Sequence, residues 1–216
     1  MDNLGTALRE FDRVAVPLDG RRAAAVAIAI SGGEPAATAD GEPAAGEAAA
    51  GEPPAGGPAI WLTRRAPRMR AHAGQFALPG GSVDPGEDAA GAALRELREE
   101  IGAVAERSAV LGLLDDYPTR SGYVITPVVV RLGDRQRLTP NPAEVAELHR
   151  ITFRELDVEP RFLTIPESSR PVIQLPLMGN FVYAPTAAVL YQFAELALRG
   201  RQTRTVHFEQ PVFAWR

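Results

Sequence analysis

The chain contains no cysteine, so it can form no disulfide, no thiolate metal centre and no cysteine nucleophile, which fits a reducing compartment. It has no basic block and carries a formal charge of −4, whereas proteins that track a phosphate backbone concentrate Lys and Arg on one surface; a nucleic-acid partner is not expected. No apolar run approaches membrane-spanning length, and the opening MDNLGTALREFDRV lacks the apolar core of a leader, so a cytoplasmic protein with no membrane partner is expected. At 216 residues the chain can build one sizeable core but not comfortably two. Residues 1–216 are therefore read as a single α/β domain with decorations.

The richest stretch is GSVDPGEDAAGAALRELREEIGA, Gly81 to Ala103, a glycine-rich turn feeding a short helix loaded with glutamates. At about 100° per residue, Glu96, Glu99 and Glu100 share one face of that helix. Ala90, Ala93, Leu94, Leu97 and Ile101 fall on another arc and can bury against a sheet. Asp88 is the expected N-cap, Gly102 the residue that ends the helix, and Glu87 a partner for Arg95. Crowded carboxylates repel and need a compensating cation, partly supplied by Arg95 and Arg98. The remainder suits a hard divalent ion, although an acidic face of this kind can also simply be solvated.

The spacing decides between the two. Five residues separate Gly81 from Glu87, seven more lead to Arg95, and Glu96, Leu97, Arg98, Glu99, Glu100, Ile101 and Gly102 follow. This resembles the Nudix box, the signature of hydrolases that cut a diphosphate linked to another moiety, with every glycine, arginine and glutamate of the pattern present. Ala103 stands where that family has a larger aliphatic residue, and Gly91 lies inside the helix at a cost of roughly 1 kcal/mol against alanine.

Upstream, Arg64 to Gly81 reads RRAPRMRAHAGQFALPGG, with Arg64, Arg65, Arg68, Arg70 and His72 close together. Arginine forks match phosphate oxygens, though the composition alone also fits a solvated loop. The order of residues is similar to the motif that precedes the box in the coenzyme A pyrophosphatase branch of Nudix hydrolases. Leu62, Thr63, Arg65, Arg70, His72, Gly74, Gln75, Pro79, Gly80 and Gly81 match, while Ala66, Met69 and Leu78 replace serine, leucine and phenylalanine. His72 on its own reads equally as a core or hydrogen-bonding histidine.

The rest of the chain frames this region. Residues 4 to 14 carry a weak helical period, and Ala23 to Ile30 is a compact apolar run with the length of a buried strand. Residues 31–59, almost wholly Ala, Gly, Pro and Glu with GEP recurring, are expected to be a flexible insertion before a returning strand at Ala59 to Thr63. Leu111 to Arg131 reads as a hairpin around Pro118 to Gly122, with Pro127 suggesting an edge or a bulge. Tyr117, Arg120 and Tyr123 could there face a nucleotide or merely pack. Leu148, Ile151 and Phe153 alternate as a strand, and Thr152 with Glu155 signals a capping box. A strand over VIQLPLMGNFVY, a helix from about Ala187 to Leu198 with Thr186 as N-cap, and a final strand over TVHFEQPVFAW complete the reading.

The resemblance implies a Nudix-type α/β/α sandwich, a mixed β-sheet between helices. It implies Mg²⁺ or Mn²⁺ as cofactor, held by Gly80, Glu96, Glu99 and Glu100, with Glu96 or Glu144 taking a proton from the attacking water and Glu147 behind Glu144. Both loop glutamates also read as solvated carboxylates. Arg64, Arg65, Arg70 and His72, with Gly74 and Gln75, would hold the substrate. Coenzyme A or a derivative is the expected small-molecule partner, giving 3′,5′-ADP and 4′-phosphopantetheine. ADP-ribose or NADH is the alternative, a silent nucleotide sensor a more distant one, and a homodimer is allowed.

Overall fold

The computed structural model describes residues 2–32, 57–68, 74–133 and 136–215. In chain order the elements are α1 (Asp2–Arg9), β1 (Arg22–Ser31), β2 (Ala59–Arg65), β3 (Phe76–Ala77), β4 (Gly80–Ser82), α2 (Ala89–Ile101), β5 (Val110–Leu113), β6 (Tyr117–Pro118), β7 (Tyr123–Arg131), β8 (Val145–Thr152), α3 (Phe153–Leu156), β9 (Arg161–Ile165), β10 (Ser168–Leu177), β11 (Asn180–Tyr183) and α4 (Thr186–Arg199). Eight strands form a mixed sheet, in which β1 runs parallel to β7 and antiparallel to β2 and β4. The sandwich expected from the sequence is the observed architecture.

Strand β1 shows why the layers sit where they do. Successive side chains on a strand point to opposite faces. Ala25, Ala27 and Ala29 face α2, where Ala90, Ala92, Ala93, Leu97 and Ile101 meet them. Ile28 and Ile30 face the other way and join Leu190 and Phe193 of α4 in the larger core. Small residues on both sides of the first contact let α2 lie close to the sheet, and that closeness sets the depth at which its glutamates stand.

Strands β1 and β2 touch only at Ile30↔Ile60 and Ser31↔Ala59 and then diverge. The segment 76–82 fills the wedge: β3 pairs with β2 at Thr63↔Ala77, and β4 pairs with β1 at Val26↔Gly80. The signature glycines thus lie between two strands of the main sheet. At the far end of the same pair, a Cβ on Gly32 would lie 2.6 Å from the Gly57 carbonyl oxygen, so the two ends of the long insertion meet. Residues 33–56 of that insertion lie outside the described residues.

Several expectations are corrected. The first helix ends at Arg9, because Arg13, Val14 and Val16 are instead bound to Asp115 and Asp116: the Val14 N–H donates to Asp115 at 2.8 Å and the Val16 N–H to Asp116 at 2.9 Å. Pro127 lies in an interior strand, not at an edge. Its carbonyl accepts from Leu114 N–H on the side where β5 and β6 leave a gap, so its missing N–H faces that gap and the ladder with β1 is undisturbed. Phe153 starts α3 and is not part of the strand, while the Thr152/Glu155 capping box is formed as expected. Pro185, not Thr186, occupies the N-cap of α4; the Thr186 hydroxyl reaches the Phe76 carbonyl. The single strand expected over VIQLPLMGNFVY is a hairpin, β10 and β11, turning at Met178 and Gly179 with positive φ, and with β9 it forms a separate three-stranded sheet. The segment 205–215 is no strand: it makes one bridge at Glu209 and a 3₁₀ turn over Val212–Ala214, because Pro211 and the buried carboxylate of Glu209 divert it.

Candidate active site

Helix α2 begins where its capping chemistry dictates. The Asp88 carboxylate accepts from the Gly91 N–H at 2.8 Å, and Arg107 closes on the same carboxylate. At Gly91 a Cβ would stand 3.0 Å from Glu87 Cγ and 3.3 Å from Asp88 Oδ1, so glycine leaves room for the cap. Gly102, at φ 68°, ends the helix in the left-handed region.

The turn at Gly80 and Gly81 passes directly beneath this helix. A Cβ at Gly80 would lie 2.4 Å from the Ala25 carbonyl oxygen, and one at Gly81 would lie 2.2 Å from Glu96 Oε1. Neither position admits a side chain without displacement, which is the physical need behind the glycine pair.

Arg95 gathers the acidic side of the helix. It donates to Glu87 at 3.1 and 3.3 Å, to Glu96 at 2.7 Å, to Glu99 at 3.2 Å and to the Ser82 carbonyl at 2.9 Å. These carboxylates raise its already high pKa further. Glu87 is held below its ordinary range, first by its bond to Arg95.

Glu100 differs from the others. It is 3% exposed, and its carboxyl is pushed up to about 8 by burial above all, with the charges of Glu96 and Glu144 adding to the effect. The Arg65 guanidinium and the Gly80 N–H oppose the shift. Glu96 is also raised, first by burial, against the pull of Arg95 and with repulsion from Glu99 and Glu144. Glu144, steadied by the Asn141 side chain at 3.2 Å, therefore belongs to the same electrostatic cluster. Arg65 faces it with a buried Nε that has no hydrogen-bond partner. An anion brought to Arg65 would complete that donor.

The predicted residues divide accordingly. Glu96, Glu100, Glu144, Arg65 and the Gly80 turn are brought together. Glu99 is half exposed: its side chain pairs with Arg95 at 3.2 Å, and its charge adds to the rise at Glu96. Arg64 is not beside Arg65, because neighbours on a strand point to opposite faces: it donates to the Gly74 carbonyl at 3.3 Å and to Glu147 at 3.0 Å and shares a cavity with Gln75. Glu147 accordingly does not stand behind Glu144. Arg70 and His72 lie outside the described residues. Tyr117 is packing, buried with its hydroxyl donating to the Phe208 carbonyl at 2.9 Å, and Arg120 is tied to Glu209.

Among the described residues, no group of three or more His, Asp or Glu side chains is gathered as a metal centre requires, and Arg95 serves as the cation between Glu87, Glu96 and Glu99. The chemistry of the donors is still that of a hard-ion site. Glu96 and Glu100 offer carboxylate oxygens and no soft ligand, and both are raised first by burial, with repulsion between carboxylates adding to it, a charge that a bound cation would offset.

A cavity of about 220 Å³ adjoins the glycine turn, between β1, Ser82, the stretch 119–125 and the C-terminal residues Gln210 and Ala214. The sequence reading missed Gln210, Thr119 and Ser121 as candidates. No local pattern marks them, since their meeting depends on the fold of three distant stretches.

A family model described as NUDIX domain matches residues 51–175. Over 142 residues the chain is 36% identical to a Pectobacterium atrosepticum protein named uncharacterized Nudix hydrolase NudL, covering 63% of this chain and 74% of that one. It is 41% identical over 143 residues to a Yersinia pestis protein of the same name, covering 64% and 72%. A solved NUDIX hydrolase from Nitrosomonas europaea aligns over 86% of this chain and 76% of its own, with a TM-score of 0.49 and 16% identity.

Proposed function

The chain belongs to the Nudix hydrolase family, and from that membership we propose that it cleaves the diphosphate of coenzyme A or a derivative into 3′,5′-ADP and 4′-phosphopantetheine, with Mg²⁺ or Mn²⁺ as cofactor. The observation that carries the reading is the buried Glu100 and the half-buried Glu96 beside the glycine turn, faced by the unpartnered Arg65 Nε. Glu96, Glu99, Glu100 and the Gly80 carbonyl would hold the divalent ion, which when bound neutralises the diphosphate and acidifies water.

The chain's own groups supply the rest. Arg65 binds a phosphate oxygen of the substrate through the Nε–H that now lacks a partner. Arg95 fixes Glu96 and Glu99 so that their oxygens are not free to swing away. Glu144, held by Asn141 and set within the field of Glu96 and Glu100, accepts the proton of the attacking water. Burial of this cluster strengthens each charge interaction within it.

The test is a product assay by mass spectrometry on coenzyme A, ADP-ribose and NADH with Mg²⁺ and Mn²⁺. Coenzyme A should show the highest kcat/KM and yield the two named products. A higher kcat/KM for ADP-ribose or NADH rejects the coenzyme A assignment and leaves the family membership untouched.

A further inference from the structure

The cavity of about 220 Å³ beside Gly80 and Gly81 has no part in the chemistry described above, yet it opens one strand away from Glu96. No charged side chain lines it. Ala24, Val26, Ile125 and Pro185 supply apolar wall, and the polar groups are hydroxyls and one carboxamide. A phosphate-bearing group would have no cation to meet there and would lose its hydration without replacement. An uncharged group would lose little.

The carboxamide says more. Gln210 is 2% exposed, and its Oε1 accepts the Arg120 N–H at 2.7 Å. Only the oxygen of an amide can accept, so this bond fixes which end is which. The Nε2 group is turned away from Arg120, and no hydrogen bond from it to any described residue is formed; the side chain lines the cavity. Nε2 is not one of the buried atoms left without a partner; it opens on the cavity, where it can meet water or a carbonyl oxygen that arrives with a ligand. Thr119 cannot be that acceptor's rival, since its hydroxyl already bonds Ser121 and the Tyr123 carbonyl.

We propose that this cavity is the subsite for the uncharged half of the diphosphate substrate, a chain with apolar surface and a carbonyl oxygen that receives Gln210 Nε2–H. The proposal rests on the functional reading above, within which that half is the pantetheine arm, whose amide carbonyls match the donor. The phosphorylated adenosine half is thereby assigned to the side of the turn where Arg65 stands. Specificity for what hangs from the diphosphate is then set by the C-terminal segment and the 119–125 stretch, and not by the box helix.

Two variants test this. Gln210→Glu keeps an acceptor for the Arg120 N–H and removes the donor; Ile125→Trp fills the cavity from β7 and leaves Gln210 itself unchanged. Calorimetric titration with 4′-phosphopantetheine and with 3′,5′-ADP, alongside thermal melts, reads each half separately. Both variants should weaken 4′-phosphopantetheine by about tenfold or more and leave 3′,5′-ADP within about twofold. Should Gln210→Glu fail to fold, Ile125→Trp decides alone. Equal weakening of the two ligands, a loss confined to 3′,5′-ADP, or no change overturns the proposal. Absence of coenzyme A turnover by the unaltered protein refutes the functional reading only, and the two titrations still judge the cavity.

Discussion

Replacing Glu100 by glutamine should stabilise the metal-free protein at alkaline pH while destroying its activity. The Glu100 carboxyl ordinarily titrates near 4.5 and is raised to about 8 in the fold. The folded state therefore holds a proton that the unfolded chain has already lost between those values, and stability falls as pH rises through that window. The gap, at about 1.4 kcal/mol per pH unit, gives on the order of 5 kcal/mol as an upper figure, and movement of the side chain toward water returns part of it. Expressed as melting temperature for a chain of this size, a gain of roughly 5–12 °C is expected for Glu100→Gln above pH 8 in EDTA. Below about pH 4 the pH-dependent difference should vanish, because the parent's carboxyl is then mostly protonated in the folded and the unfolded chain alike. Adding Mg²⁺ or Mn²⁺ at pH 8.5 should raise the melting temperature of the unaltered protein and leave the variant unmoved, as expected when an ion binds only the folded ionised site. Activity should fall by at least about a thousandfold. A variant that melts lower than the parent at pH 8.5, or by a difference independent of pH, would refute the account of Glu100 as a charge buried without its counter-ion.

Gly81→Ala meets only the movable end of Glu96 and should fold with kcat reduced by about tenfold or more, whereas Gly80→Ala meets the backbone of Ala25 and Val26 and should yield little soluble protein; expression and turnover distinguish them. Glu209 is driven upward by burial, but Arg120, the Gln210 N–H and Ser168 outweigh this and hold it down to about 2. Its contribution to stability is thus present above the usual carboxylate pKa and lost on acidification toward that value, so Glu209→Gln should flatten the melting curve between about pH 4.5 and 2. Arg120→Ala should cost about 1–2 kcal/mol in urea unfolding at pH 7, because the half-exposed guanidinium is lost while Ser168 and the Gln210 N–H still hold the Glu209 charge. Replacing residues 33–56 by an Asn-Gly turn should leave kcat and melting temperature within error, since Gly32 and Gly57 already meet.

What could be read from the sequence was what local chemistry determines. Asp88, Gly102 and the Thr152/Glu155 pair mark helix ends through bonds to residues three or four away, and all three stand where expected. The alternation of alanine and isoleucine in β1 likewise carries its own layer assignment. Arg64 and Arg65 show the limit: adjacent in sequence and alike in chemistry, they are separated by strand geometry that composition does not carry. Glu144 was reached through the family resemblance and not through any spacing, and its neighbours Glu96 and Glu100 come from another part of the chain. The three-stranded sheet escaped notice because β9 is short and half exposed, with no apolar run to announce it.

The fastening of Arg204 to Asp12, 192 residues away, and to Asp115, 89 residues away, has a bearing on synthesis. All eight strands of the main sheet have been translated once Thr152 is made, but the isoleucine face of β1 stays bare until α4 emerges some thirty residues later and the segment beyond Gly200 latches over it. A ribosome paused in that interval holds a nascent protein with its acidic helix docked and a sticky flank exposed, so chaperone demand should peak there and truncations in this span should aggregate.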